Sequence, residues 1–497
     1  MAKNLKQKAA SGMVWTALQR YSTMFIQFIS GIILARLLTP YDYGCIGMLA
    51  IFMVLAEAFI DGGFGSALIQ KKRSTQDDFS TIFYWNLGMA VLMYAILFMS
   101  APAVSRFYGI PLLCDVLRVQ GLVLFIYAFN IVQRNQLMKK LNFKVLAKVA
   151  ITTSVIALGV TIFMAYKGFG VWSLVAQNLL TAAIPALAFW FYLKWRPALV
   201  FSWKSFKELF GFGFYMFMTH LVNSFSTQIQ GLMIGKVYNP STMGYYSKAL
   251  NTESLASRSI SSVMTQVTYP LYAEAQDNKV LLRNMIKRLT MTIAYITFPM
   301  LFILLLTAKP VFLLLYSEKW LASIPYFQVL CIAGMGTCLT AVNTQSIAAI
   351  GKSKVMFTWT IIKRCVGLSI IVVGLFFFGM KGMLLGAVFS SWFSYFVNVV
   401  LVSKHIGYGW GHQVFDLLPI IFASSLAALV SYGVSFFHFN IYVDGVLKLL
   451  VYMIVYMGWS LLFKPESYIY FLTIIPAKFK KMGRNNKTAY DDMFTYQ

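Results

Sequence analysis

The sequence predicts an all-α polytopic membrane protein, and three observations carry that prediction. Of its 497 residues, 59% are hydrophobic and only 12% are charged, half the share of about 25% usual in soluble domains. The apolar residues come in runs of roughly 20 to 28, the length a helix needs to cross about 30 Å of hydrocarbon. The polar breaks between those runs alternate between strongly basic and nearly uncharged, the pattern that orients membrane helices. Most soluble enzyme classes are excluded on these grounds.

Fourteen spans are expected, near 11–37, 41–68, 79–104, 111–133, 149–166, 169–193, 208–235, 241–270, 289–308, 325–349, 355–379, 382–403, 415–437 and 445–463. Lys3, Lys6 and Lys8 precede the first, as in a signal peptide, but no A-x-A cleavage site follows, so it is expected to be retained. The second ends in the glycine-rich "DGGFGSALIQ" at 61–70 and is followed by Lys71, Lys72 and Arg73. Arg106 separates the third from the fourth, and five cations from Arg134 to Lys148 separate the fourth from the fifth. Lys167 precedes the sixth, and four cations from Lys194 to Lys207 precede the seventh. A proline turn with Lys236 leads into the eighth, and a basic stretch at 271–288 into the ninth. The segment 309–324 is the longest loop on its side, too short to hold an external active site. Lys352 and Lys354, then Lys381, then Lys404 mark the breaks before spans eleven, twelve and thirteen.

With an even number of spans both termini share one side. The tails and loops of that side hold 28 of the 42 Lys and Arg, the opposite loops hold seven, and seven lie within spans. Both termini are therefore expected in the cytoplasm. The net charge of +26 follows from the same bias without nucleic acid as a partner, and a basic face attracts anionic lipid headgroups. The five cysteines (Cys45, Cys114, Cys331, Cys338, Cys365) show no CxxC spacing, and His405 and His412 lack acidic or Cys partners, so neither a metal nor a disulfide framework is expected. The polar tail 476–497 is expected to be disordered, and on the cytoplasmic side its sequon Asn486-Lys487-Thr488 carries no meaning.

Internal repetition is the most informative feature. "GIILARLLTPYDYG" at 31–44 aligns without a gap with "GLMIGKVYNPSTMG" at 231–244, matching Gly31 with Gly231, Arg36 with Lys236, Pro40 with Pro240 and Gly44 with Gly244. Lys167-Gly168 and Lys381-Gly382 give a weaker echo. Six spans separate the matched strings, so the two halves have the same orientation, the plan of a parallel-repeat transporter. The expected division is a six-helix lobe over 1–200, a second over 201–406, two further helices in 407–475, and the tail.

Ionisable groups inside a membrane are functional candidates by default. Span 1 carries Thr16, Arg20, Thr23 and Gln27 on one helical face, and span 7 carries His220, Asn223, Thr227 and Gln230. His220 follows Arg20 by 200 residues. Span 8 carries Asn251 and Arg258 on one face, with Lys248 and Glu253 beside it. Glu57 and Asp61 lie one turn apart in span 2, Arg118 lies in span 4, and Lys363 and Arg364 in span 11. Cations outnumber acids, so the expected cavity is positive and suits an anion, and guanidinium suits phosphate through its fork of donors. Arg20 and Asp61, at matched depth, are expected to pair, with Glu57, Asp61, Glu253 and His220 as candidates for ion coupling. No HExxH, P-loop or G-x-S-x-G is present, so no catalytic residue or cofactor is expected.

"FIDGGFGSALIQKK" at 59–72, "FSTIFYWNLG" at 79–88, "GFGVWSLVAQNLL" at 168–180, "WRPALVFS" at 195–202, "GYYSKA" at 244–249 and "SEKW" at 317–320 together resemble the polysaccharide-export branch of the multidrug/oligosaccharidyl-lipid/polysaccharide (MOP) exporter superfamily. Within it the Wzx-type flippases and the colanic-acid and teichuronic-acid exporters are most similar. The resemblance implies a MATE-like pair of six-helix lobes with two extra helices in the bacterial inner membrane. It also implies export of undecaprenyl-diphosphate-linked oligosaccharide by alternating access, for surface polysaccharide or lipopolysaccharide, by a monomer beside other polysaccharide-assembly proteins. On that reading Arg20 and Arg258 hold the diphosphate, with Lys248, Arg118, Lys363 and Arg364 as further cations. The alternative is an ion-coupled small-molecule or multidrug antiporter of the same superfamily. Organic cations would call for a cavity dominated by acids, and here the acids are outnumbered. A polysaccharide polymerase or glycosyltransferase would be expected to carry a sizeable outer loop with catalytic carboxylates or Arg, and the outer loops are short.

Overall fold

The computed structural model describes residues 2–71, 74–275 and 278–474, and every regular element in them is helical. Two compact units divide the chain: Met1–Lys248 with Leu313–Ser323, and Ala249–Phe312 with Ile324–Gln497.

The first unit contains α1 (Ala2–Leu37), α2 (Pro40–Asp61), α3 (Phe64–Gln70), α4 (Gln76–Tyr108), α5 (Leu112–Gln120), α6 (Leu122–Lys139), α7 (Phe143–Tyr166), α8 (Val171–Tyr192) and α9 (Trp203–Val237). The helix α10 (Pro240–Glu274) begins in it. The expected second span is broken at Gly62 and Gly63, both left-handed, so α3 is a separate short helix. The fourth is broken at Gly121 and then runs six residues past its expected end, to Lys139.

Local signals explain the starts. Thr39 caps α2 in a reciprocal box with Asp42, and Pro40 occupies the first turn, where its missing N–H costs nothing. The equivalent start of α10 has Asn239 accepting from the Thr242 amide at 2.8 Å, again ahead of a proline. Thr75 and Asp78 form the same box on α4. Asp78 is buried and bonds Lys71 at 3.0 Å, and Lys71 also reaches Glu208 at 2.9 Å. Burial works against the Lys71 charge, but Glu208 and Asp78 together hold its pKa above the ordinary lysine value. Ser80 and Thr81 accept from the amides of Ala198 and Ser202, and Phe79 and Phe83 pack on Trp195. Two of the strings that carry the family resemblance therefore interlock as scaffold.

The repeated landmarks meet in this unit. A Cβ on Gly44 would overlap the Pro240 carbonyl, and a Cβ on Gly244 would overlap the Pro40 carbonyl. The contact is reciprocal, the same surface used twice, and only glycine permits so close a backbone approach.

The second unit holds the rest of α10, then α11 (Lys279–Leu306), α12 (Ala308–Tyr316, whose end belongs to the first unit), α13 (Ile324–Ala349), α14 (Ser353–Ile406), α15 (Trp410–Tyr432), α16 (Ile441–Phe463) and α17 (Glu466–Ile474). The 54 residues of α14 are two helices joined at Gly379, whose φ of 63° breaks the run. They fold back on each other: Gly367 lies on Ser390, Gly374 on Gly382 and Gly386 on Ile370. The last long helix is tied in by Tyr295, which donates to Ser460 at 2.8 Å, and by Tyr456, which donates to the Tyr295 carbonyl at 3.0 Å.

Among the described residues, ten helical segments are long and apolar enough to cross a membrane: Pro40–Gln70, Gln76–Tyr108, Leu112–Lys139, Phe143–Tyr166, Val171–Tyr192, Lys279–Leu306, Glu318–Ala349, Val355–Ile406, Trp410–Phe437 and Ile441–Phe463. The chain is a polytopic helical membrane protein.

Candidate functional site

A cavity of about 870 Å³ opens within the first unit, walled by α1, α2, α6, α7 and α8 with Gln120 at the end of α5. From α1 come Thr16, Gln19, Arg20 and Thr23, which share one face at helical spacing. Both threonines turn their hydroxyls back on their own helix, Thr16 to Gly12 and Thr23 to Gln19 at 2.8 Å each, which leaves oxygen lone pairs free to accept. Glu57 enters from α2. On α6 the residues Tyr127, Asn130 and Arg134 follow at i, i+3 and i+7, and Asn178 and Thr181 come from α8. Pro185, inside α8, also lines the wall. Lacking an N–H, it leaves the Thr181 carbonyl without its helix donor.

Arg134 was not among the sequence candidates. Ending the fourth span at its first cation places Arg134 in a basic loop, and the 127/130/134 spacing is the sequence signal that puts it on the cavity face. Its guanidinium is exposed, and it makes no ion pair among the described residues.

Asp61 is placed differently from the expectation. None of the described ion pairs joins it to Arg20. Its carboxylate lies against Gly65 beside the Asn135 amide, where a Cβ on that glycine would meet both. Matched depth fixed its height, but the turn at Gly62–Gly63 decides which way it faces.

Other candidates lie outside the cavity wall. Lys248 is buried, donates to the Gly31 carbonyl at 2.7 Å and stands over Tyr316, 3.8 Å from the ring centre, with Tyr43 and Trp320 close by. Trp320 in turn donates to the Ala35 carbonyl at 2.8 Å. "GYYSKA" and "SEKW" thus meet as an aromatic cage around one ammonium. Trp320→Ala empties a fully buried site and removes one wall of the cage, and is expected to cost about 3–5 kcal/mol. A thermal melt of the purified protein equal to wild type would exclude that role.

Arg118 stacks on Phe98 at 4.3 Å. In the second unit, Lys363 is buried and donates to Asn398 at 2.6 Å, whereas its neighbour Arg364 is exposed. Glu253 is buried against Gly334 of α13. On α9, Gln230 accepts from Tyr246 and Thr227 donates to the Asn223 carbonyl. Gln27 and Asn251 are exposed. The side chain of Arg258, and the tail from 475, lie outside the described residues. Among the described residues no three His, Cys, Asp or Glu side chains cluster as a metal site.

Known proteins resemble this chain in sequence and in fold. Residues 33–325, more than half of it, match the family described as "Polysaccharide biosynthesis protein". The teichuronic acid biosynthesis protein TuaB of Bacillus subtilis is 26% identical over 358 residues, covering 72% of this chain and 74% of its own length. The lipopolysaccharide biosynthesis protein WzxC of Escherichia coli is 22% identical over 440 residues, covering 86% and 88%. Among solved structures, the lipid II flippase MurJ in an inward closed conformation superposes with a TM-score of 0.72 at 15% identity, over 91% of this chain and 98% of its own. An inward-facing MATE-family multidrug transporter of the MOP superfamily gives 0.62 at 17% identity, over 80% and 98%. These two likenesses concern the fold.

Proposed function

The chain belongs to the polysaccharide biosynthesis protein family, and from that premise we propose that it is a flippase moving lipid-diphosphate-linked oligosaccharide between the leaflets of a bacterial inner membrane. The observation that carries the reading is the cavity itself. Two arginines from different helices line one cavity inside a largely apolar helix bundle, and a diphosphate entering a low-dielectric path needs such partners. The names of the relatives, which concern teichuronic acid and lipopolysaccharide biosynthesis, agree with a glycan cargo.

Fourteen crossings are inferred, from the ten apolar segments with Val355–Ile406 counted on both sides of Gly379 and with α1, α9 and α10 added. The reciprocal Gly44 and Gly244 contact supports a parallel repeat of six-helix lobes over 1–200 and 201–406, followed by two extra helices. Both termini are read as cytoplasmic from the basic loops. Transport proceeds by alternating access in a monomer, driven by substrate gradients or an ion on Glu57, Asp61 or His220, with no chemical step on the cargo.

Deleting the gene is expected to leave lipid-linked glycan on the inner leaflet and to lower surface polysaccharide, with unchanged sensitivity to cationic drugs. Increased drug accumulation with normal surface glycan would instead establish the antiporter alternative.

A further inference from the structure

A second cavity, of about 390 Å³, opens in the second unit where the end of α11, the start of α12 and the turn between α15 and α16 come together. Its charged wall consists of Lys309, His438, Asp444 and Lys448, and local packing explains how each arrives there. On α16, Asp444 and Lys448 lie one turn apart and pair at 2.6 Å, and the lysine is buried, so its ammonium is held in place. A Cβ on Gly445 would overlap the Pro310 ring at 2.7 Å, and that close approach puts Lys309, the residue before Pro310, beside α16. His438 follows the short turn Gly433–Phe437 with a left-handed φ of 53°, and its Nδ1 lies 3.3 Å from the Ser435 carbonyl. A carbonyl only accepts, so Nδ1 carries the proton in that contact and the Nε2 of this exposed ring is left for a ligand.

The charges do not cancel. Asp444 is matched to Lys448, whereas Lys309 and His438 are exposed and make no ion pair among the described residues. A lysine beside an imidazole is by itself only a solvated edge. Here the two border a cavity at the ends of membrane helices, and its surroundings are apolar: Phe436 and Phe437 are about three-quarters exposed, and Phe439 and Tyr442 about half. Aromatic rings at the ends of such helices sit at the headgroup level of a bilayer, and a basic pocket between membrane helices suits a lipid headgroup. Free phosphate would use the cations but leave the exposed rings without a role.

We propose that this cavity binds the phosphodiester headgroup of an anionic glycerophospholipid, such as phosphatidylglycerol, in the leaflet read as outer. Lys309 and His438 hold the phosphate, and the exposed phenylalanines lie along the acyl chains. The bound phosphate ties the start of α12 to the turn ahead of α16. This lipid is distinct from the cargo, and its site belongs to the other unit from the arginine-lined cavity, so it does not depend on the flippase reading.

The test is photolabelling of the full-length protein in nanodiscs, mapped by peptide mass spectrometry. The probes are phosphatidylglycerol and phosphatidylcholine, each with a photoreactive group near the top of one acyl chain, and labelling of residues 433–448 is normalised to that of the basic loop at 139–148. In wild type the phosphatidylglycerol probe is expected to label 433–448 about fivefold more than the phosphatidylcholine probe. Replacing both exposed cations, Lys309→Gln with His438→Gln, should bring the two probes within about twofold of each other. Equal labelling by both lipids in wild type overturns the headgroup site and leaves only an apolar belt. So does a double variant that keeps the wild-type preference. Displacement of the phosphatidylglycerol probe by glycerol phosphate as readily as by unlabelled phosphatidylglycerol overturns the lipid as occupant and makes the cavity a site for a soluble anion.

Discussion

Gly44→Ala and Gly244→Ala are each expected to reduce glycan export by about tenfold or more, although neither removes a charge or a hydrogen bond. In each case the new methyl occupies the position of a backbone carbonyl, Pro240 or Pro40. A carbonyl at the first turn of a helix cannot rotate away as a side chain does, so the two helix starts must move apart. Overpacking of this kind typically costs about 1–3 kcal/mol, and 1.4 kcal/mol is a tenfold change in the population of the state that contains the contact. The double variant should be less than additive, because the separation forced by one methyl makes room for the other. The measurement is surface polysaccharide in a deletion strain complemented with each variant, normalised to the amount of protein in the membrane. Export by both alanine variants at the wild-type rate would show that the close approach is dispensable.

This contact also shows what the sequence could and could not carry. The pairing of Pro40 with Pro240 and of Gly44 with Gly244 is visible as a 200-residue repeat, and helix starts at both prolines follow from capping chemistry alone. That each glycine lies on the other's proline is a tertiary fact, invisible to an alignment of a chain with itself. The α1 stripe was legible for the same local reason: helical period puts Thr16, Arg20 and Thr23 on one face, and all three line the cavity. Arg134 was hidden by the convention that a cation ends a membrane span, which fails when the cation faces a polar cavity rather than lipid. Lys248 looked like a cavity cation because the rings that cage it, Tyr43, Tyr316 and Trp320, are scattered over the sequence. Depth along its helix gives the height of Asp61 and says nothing about the direction in which a glycine turn points its carboxylate.

The largest loss is expected from the cavity arginines. Arg20→Ala and Arg134→Ala should each bring export below about a tenth of wild type, and Arg20→Lys and Arg134→Lys should retain an intermediate rate. Arg20 and Arg134 reach one cavity from different helices, so each can offer a bidentate fork to one phosphate of the pair. Truncating one member of a desolvated charge pair costs about 2–5 kcal/mol, enough to empty the cavity at ordinary lipid-linked substrate levels. Lysine keeps the charge but offers a point rather than a fork, hence the intermediate rate. Arg118→Ala is the matched control: it also deletes a guanidinium from a helix of the same unit, but one stacked on Phe98 and absent from the cavity wall, and export should stay near wild type. If loss of positive charge alone were responsible, Arg118→Ala would be as damaging as the other two. If Arg20→Ala and Arg134→Ala are both exported normally into the membrane and carry glycan at the wild-type rate, the diphosphate is held elsewhere and these arginines serve only the fold.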